Sequence, residues 1–298
     1  MFLIVGLGYA LMRWRRWPEA VSRTLSQAVF TVALPALLFT LMSDLSRLPP
    51  VDWRVLVAFF GSCLLVFGLA RVIGWRFFRL DGVSQSLFAL AAIFSNNALL
   101  GLPLAKATLG DGAMPTVALV LVFNSLTLWT LVTVSVEWAR QGRPTLSGFG
   151  ATLVAVLKNP LIIAILSGTA VGLSGWRLPT LVLTPLHWVG ELAAPLALFT
   201  LGLGLAEHGI KAHWPTSLAM TGLKLIVQPL VVWGLARLLG LPPMETRAVV
   251  LLGSIAVGAN VYLMSRQFQA LEGPVAASLV LSTAGSALTT PLILALIS

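Results

Sequence analysis

Apolar stretches of about 20 residues, the length a helix needs to cross about 30 Å of hydrocarbon, recur along nearly the whole of this chain. Inside a bilayer no water satisfies the backbone, so a crossing chain must be helical or close into a barrel. Barrel strands need only about 10 residues of alternating character, which these windows do not show. The windows fall near 1–12, 24–43, 53–75, 84–107, 113–137, 153–174, 180–205, 214–238, 246–267 and 275–298. They predict an all-α integral membrane protein of about ten transmembrane helices. A hydrophobic fraction of 58%, a charged fraction of 10% and a mean hydropathy of +0.95 leave no room for a large soluble domain. The stretch 1–12 is short, and no small-residue cleavage site follows it. It is read as a shortened first helix rather than a signal peptide.

The formal charge of +9 does not point to nucleic acid, because the basic residues are scattered singly between spans, with no basic tail or aromatic-interleaved patch. Topology accounts for them better. Arg13, Arg15, Arg16, Arg23, Arg71, Arg76, Arg79, Arg140, Arg143, Lys211 and Arg266 fall on one side; Arg47, Arg54, Lys106, Arg177, Arg237 and Arg247 fall on the other. The positive-inside rule places the richer side in the cytoplasm and both termini outside it, in the periplasm of a bacterium. Four Lys against fifteen Arg fits a GC-rich bacterial genome and a multi-pass protein of its cytoplasmic membrane. The single cysteine, Cys63, excludes an intramolecular disulfide and any cysteine metal cluster, and no metal site is expected.

Two stretches are poor material for an unbroken membrane helix. Span four carries Phe94-Ser95-Asn96-Asn97-Ala98-Leu99-Leu100-Gly101-Leu102-Pro103. Pro103 has no N–H for the carbonyl four residues earlier, so the helix is expected to kink or unwind just before it. Such a break is tolerated only where protein or a wet cavity surrounds it. Span nine carries Gly253-Ser254-Ile255-Ala256-Val257-Gly258-Ala259-Asn260-Val261-Tyr262, five spans later. Span two (Pro35 to Leu41) and span seven (Pro195 to Leu201) share P-x-x-L-F-T-L, also five spans apart. Five is odd, so the second half is inserted upside down relative to the first. The reading is two inverted five-helix repeats, 1–150 and 151–298, with crossing broken helices in spans four and nine. Half-helix N-termini there favour an anion, and Asn96, Asn97 and Asn260 can donate to it and accept from it.

These residues resemble a known family. The S-N-N-x-x-x-G-x-P run, Lys158-Asn159-Pro160-Leu161, Lys224 with Pro229, and Gly258-x-Asn260 occur in the order seen in auxin efflux carriers, particularly their bacterial members. The resemblance implies a scaffold (1–43 and 153–205) and a transport core (53–137 and 214–298) that shifts against it in elevator fashion. It implies small organic anions as substrate, malonate or other carboxylates, and a crossing built on Asn97, Pro103 and Asn260. Gly101, Gly258 and Tyr262 join the candidate binding residues, with Asn124 and Thr283 lining the core beside Ser282. The long central loop of many plant members is absent; residues 140–150 are a short link. The first span departs from the family pattern in lacking its outer turn and proline. A homodimer in the lipid bilayer is a further expectation.

Ionisable residues at membrane depth are costly and mark function. Glu191 lies in span seven with His187 one turn earlier on the same face, a pair suited to relaying protons. Lys224, in span eight, is expected to snorkel to the cytoplasmic interface or to meet substrate. Proton coupling is preferred over sodium, because none of the ten acids lies in span four or nine. No organic cofactor is expected. Other classes were weighed. Gly172-Leu173-Ser174-Gly175 matches the short motif of intramembrane serine proteases, yet no histidine lies two spans later in the membrane. A Walker loop and an H-E-x-x-H zinc motif are absent. A ligand-sensing membrane protein and a sodium-coupled carrier of the bile-acid type stand as the alternatives.

Overall fold

The structure is a computed structural model that describes residues 2–15, 18–43, 52–141, 154, 157, 158, 160–176, 178–208 and 214–297. Among these the chain is helical almost throughout and holds no strand. Helix α1 (Phe2–Arg15) precedes α2 (Glu19–Ala28), which passes through a π-helical turn at Val29–Ala33 into α3 (Leu34–Ser43). Then α4 (Trp53–Leu56), a π turn at Val57–Gly61 and α5 (Ser62–Arg76) form one continuous run. Asp52 caps its start. One carboxylate oxygen accepts the Arg54 backbone N–H at 2.9 Å, and the other accepts the Arg54 guanidinium at 2.9 Å. The hydrogen bond from that guanidinium holds the Asp52 carboxyl below its ordinary value.

The first half continues through α6 (Gly82–Ile93), a π turn at Asn97–Gly101, α7 (Leu102–Leu109), α8 (Met114–Asn124), a π turn at Ser125–Trp129 and α9 (Thr130–Gln141). The second holds α10 (Pro160–Ser174), α11 (Thr180–Glu191), α12 (Ala193–His208) and α13 (Trp214–Gly222). A π turn at Leu223–Val227 leads from there to α14 (Gln228–Leu238), α15 (Pro243–Ser254), α16 (Ala259–Phe268) and α17 (Glu272–Ile297). Among the described residues, six runs are long and apolar enough to span a membrane: 20–40, 53–76, 111–140, 180–200, 214–238 and 272–296. The expected spans four and nine do not qualify as single runs because each is split, as the next section describes.

Small residues let the helices approach closely, the usual solution where lipid supplies no hydrophobic drive for association. Helix α3 packs against α10 at Gly168, where a Cβ would stand 2.6 Å from the Phe39 carbonyl oxygen. It packs against α11 at Gly190, where a Cβ would meet the Leu37 Cα at 2.9 Å. Helix α1 lies along α12. A second set of contacts joins α5 to α6, α14 to α15, and α13 to α17. Leu181, Leu288 and Leu296 project outward, as a lipid-facing surface requires, and Trp53, Trp75 and Trp214 are exposed at the ends of long runs, where interfacial aromatics belong.

Ser174 does not face a catalytic partner. Its hydroxyl donates to the Val171 carbonyl at 2.7 Å and accepts the Trp176 N–H at 3.2 Å, closing the end of α10 ahead of Gly175 at φ +68°. Arg16, Arg47, Arg143, Arg177 and Lys211 of the charge tally, and Asn159 of the family motif, lie outside the described residues.

Candidate functional site

The two unusual stretches meet. Helix α6 stops at Ile93, Phe94 turns extended at φ −80°, ψ 104°, and helical structure resumes at Asn97. Helix α15 stops at Ser254, residues 255–258 are extended or irregular, and α16 begins at Ala259. The two gaps lie antiparallel and pair: Asn96 N–H donates to the Ala256 carbonyl at 2.9 Å, and Gly258 N–H donates to the Phe94 carbonyl at 2.9 Å, a single bridge between Ser95 and Val257. Backbone groups that each break exposes are thus satisfied by the other, which is what allows two helices to open at this depth.

Side chains finish the second break. Ser282 Oγ, on α17, accepts the Val257 N–H at 3.0 Å, and Thr290 Oγ1 donates to the Ser254 carbonyl at 3.0 Å. The Lys224 ammonium donates to the Gly253 carbonyl. Lys224 is fully buried, so the expectation that it snorkels to the cytoplasmic interface is corrected. Its π turn directs it inward to the carbonyl end of α15, where the negative end of the helix dipole favours a cation. Gln228, one turn on, donates to Ser62 Oγ at 3.1 Å and to Cys63 Sγ at 3.3 Å, fixing Cys63 as a buried core residue.

The first break is left chemically open. Ser95 Oγ and both polar atoms of the Asn97 carboxamide are buried and have no hydrogen-bond partner among the described residues. Asn124 Oδ1, at the end of α8 and also buried, has none either. Helix α8, which ends at Asn124, packs on the 97–101 turn. An unpaired buried carboxamide costs about 1–3 kcal/mol, and Ser95 and Asn97 keep their donors and acceptors unspent side by side at the break. Asn97 Oδ1 stands 3.3 Å from where a Gly101 Cβ would be, and Leu252 Cδ2 stands 2.8 Å from that point, so any larger residue between the turn and α15 has to displace the Leu252 side chain. Gly258 is equally confined, with Phe94 Cδ1 at 2.9 Å from its would-be Cβ. Phe94 is held in turn by an edge-to-face contact with Trp129 at 5.9 Å.

Other expected residues fall differently. Pro103 does not mark the break, which lies at 94–96. The wide π turn at Asn97–Gly101 restarts the helix, and Pro103 sits in the first turn of α7, where its missing N–H is least costly. Thr283 donates to the carbonyl of Leu279 in its own helix at 2.6 Å; Ser282, its neighbour, is the residue that reaches the break. Asn260 is half-buried in the first turn of α16, and Tyr262, two residues on, is fully buried. His187 and Glu191 do form the pair their spacing predicts, Nδ1 to Oε1 at 3.4 Å, at the end of α11. Both side chains are more than 60% exposed, and α11 packs chiefly on α3, so the pair faces outward. Thr290 was not foreseen. Its only signal is a hydroxyl beside Pro291 at membrane depth.

The sequence profile of the family described as "Membrane transport protein" matches residues 1–144 and 143–294. The chain is similar to a protein of Rhizobium meliloti named "Putative malonate transporter", 26% identical over 290 residues, covering 95% of this chain and 89% of the relative. It is also similar to an uncharacterized transporter of Methanocaldococcus jannaschii, 23% identical and covering 97% of this chain and 94% of the relative. An uncharacterized transporter of Methanothermobacter thermautotrophicus is 27% identical and covers 86% and 82%.

Proposed function

The chain belongs to the membrane transport protein family, the auxin efflux carriers, and from that premise we propose that it is a secondary carrier of small organic anions, carboxylates foremost. It is a membrane transporter and not an enzyme. The observation that carries the substrate class is the open side of the crossing, where the Asn97 carboxamide and Ser95 Oγ are buried without partners; Asn124, whose Oδ1 is also buried and unpaired, ends the helix that packs on this turn. Those groups, with the N–H groups that the first turn of α16 leaves without intrahelical acceptors, replace the water around a carboxylate. The name of the Rhizobium meliloti relative supports malonate as the first acid to try.

The proposed architecture is ten spans in two inverted repeats, 1–150 and 151–298. In it, α1, α2, α3, α10, α11 and α12 form a scaffold, and the helices around the crossing form a core that moves against it. The packing of α1 on α12 and of α3 on α10 supports that division, because the two pairs are span one on seven and span six on two. Proton coupling is assigned to Glu191 with His187. Sodium, a homodimer, the cytoplasmic membrane and external termini complete the reading as secondary expectations, sodium the least favoured.

The test is solute counterflow in proteoliposomes with mono- and dicarboxylates, malonate included. Wild type exchanges at least one acid. Asn97→Ala, which loses charge-assisted hydrogen bonds of about 1.5–3 kcal/mol each, loses tenfold or more in apparent affinity while remaining monodisperse. Unchanged exchange by that variant removes the crossing as the site. A folded wild type that binds acids yet exchanges none turns the reading to a ligand-sensing protein. Selective loss of pH dependence in Glu191→Gln supports proton coupling, and an unaltered pH profile removes it.

A further inference from the structure

Lys224 brings more charge to the second break than its structural task requires. The side chain is 0% exposed, and its ammonium donates to the Gly253 carbonyl in the last turn of α15. Among the described residues that is its one hydrogen bond, so two of its three N–H donors stay unspent, and no carboxylate pairs with it. We propose that Lys224 is the countercharge of the crossing: its fixed positive charge makes the site select an ionised acid over a neutral molecule of the same shape. The assignment rests on the reading of the crossing as an anion site and names the residue that sets its charge preference.

Three observations support it. The first is how the rest of this helix end is closed. Ser254 Oγ donates to the Leu251 carbonyl at 2.9 Å, and Thr290 Oγ1 donates to the Ser254 carbonyl at 3.0 Å. Neutral hydroxyls therefore suffice to satisfy the carbonyls on either side of Gly253, and capping alone does not call for an ammonium there. An ionised lysine at membrane depth is among the costliest side chains to bury, and such residues mark function.

The second is charge balance. The carbonyl end of a helix supplies about half a negative elementary charge, which leaves about half of the ammonium's charge uncompensated. Among the described residues the one titratable side chain that acts on Lys224 is the Cys63 thiol of α5, which is not an acid of the carboxylate kind. A bound anion supplies the missing negative charge.

The third is position. Gly253 lies three residues before Ala256, whose carbonyl holds the Asn96 N–H, so at most about 11 Å of chain separates the lysine's anchor from the bridge. Leu252, next to Gly253, approaches the would-be Gly101 Cβ to 2.8 Å, and Asn97 Oδ1 stands 3.3 Å from that same point. The end of α15 that Lys224 holds thus abuts the turn that begins at Asn97. At about 10 Å and an effective dielectric of about 20, one unit charge changes the affinity for a monoanion about tenfold. A neutral ligand gains nothing from it.

The test is calorimetric titration of the full chain in nanodiscs with malonate and with malonamide, its uncharged analogue. Wild type is expected to bind malonate at least about tenfold more tightly. Lys224→Gln keeps a hydrogen-bond donor and removes the charge; it is expected to lose about tenfold for malonate and less than about twofold for malonamide. Lys224→Arg restores the charge and recovers the preference. Equal losses for the two ligands in Lys224→Gln overturn the assignment and make the residue a structural cap, and an unaltered malonate affinity overturns it as well. Each variant is first shown to be monodisperse. Where neither variant folds, the wild type decides: parity between malonate and malonamide overturns the countercharge, and strong preference for malonate that salt weakens supports it. A wild type that binds and exchanges no acid removes the carrier reading and this assignment with it. A wild type that exchanges acids, loses exchange in Asn97→Ala and keeps its charge preference in Lys224→Gln removes this assignment alone.

Discussion

At the scale of single residues, the crossing tolerates almost no added volume. Gly258→Ala brings a methyl group to 2.9 Å from Phe94 Cδ1 and 3.3 Å from the Ser95 carbonyl oxygen. Phe94 is buried and braced by Trp129, so neither ring has room to yield. Overpacking of this kind costs about 1–3 kcal/mol, and Gly258→Ala is expected to lower the thermal midpoint in detergent and to weaken acid exchange together. Asp52 supplies a pH prediction with a definite sign. Its folded-state pKa is depressed by Arg54, so its stabilising share is present above the ordinary carboxylate value and fades as pH falls through the depressed one. As an N-cap it is worth about 0.5–2 kcal/mol. Asp52→Asn should therefore differ in thermal midpoint from wild type at neutral pH, with the gap closing in strong acid. A gap that persists there assigns the effect to packing instead.

At the scale of elements, glycines divide into those that admit a neighbouring helix and those that only loosen their own. Gly168→Ala places a methyl 2.6 Å from the Phe39 carbonyl oxygen, backbone that moves only if α3 and α10 separate. Gly234 in α14 has nothing within 4 Å of its would-be Cβ. Gly234→Ala should raise stability by up to about 1 kcal/mol through helix propensity, while Gly168→Ala should lower it. Equal effects in thermal unfolding would remove the close-packing account of the α3–α10 contact. The elements also show where sequence reasoning succeeded and failed. Asn96-Asn97 and Gly258 announced interrupted helices because amides and glycines are conspicuous in hydrocarbon. The pairing of Ser95 with Val257 had no such mark, since two extended tripeptides far apart in sequence leave no periodicity. Pro103 drew attention to the wrong turn, because a π turn absorbs upstream what a proline would otherwise disrupt. Ser282 and Thr290 look like any helix hydroxyl, and only the fold distinguishes them from Thr283.

At the scale of the whole molecule, the arginine bias predicts which face meets which compartment, and Cys63 makes that measurable. It is fully buried and the sole cysteine, so it stays silent to polar reagents and one introduced thiol reports alone. Asp81 and Asp111 are both exposed, in turns that the bias assigns to opposite sides. In intact cells a membrane-impermeant maleimide is expected to label Asp111→Cys and to reach Asp81→Cys only after permeabilisation. The reverse pattern would invert the topology.

The bridge between Ser95 and Val257 has a mechanical meaning. Two backbone hydrogen bonds at membrane depth rivet the halves of the chain together at their weakest points, and pulling them apart in hydrocarbon strands groups worth several kcal/mol each. The two broken helices are therefore one hydrogen-bonded unit, and whatever displaces one of them carries the other with it.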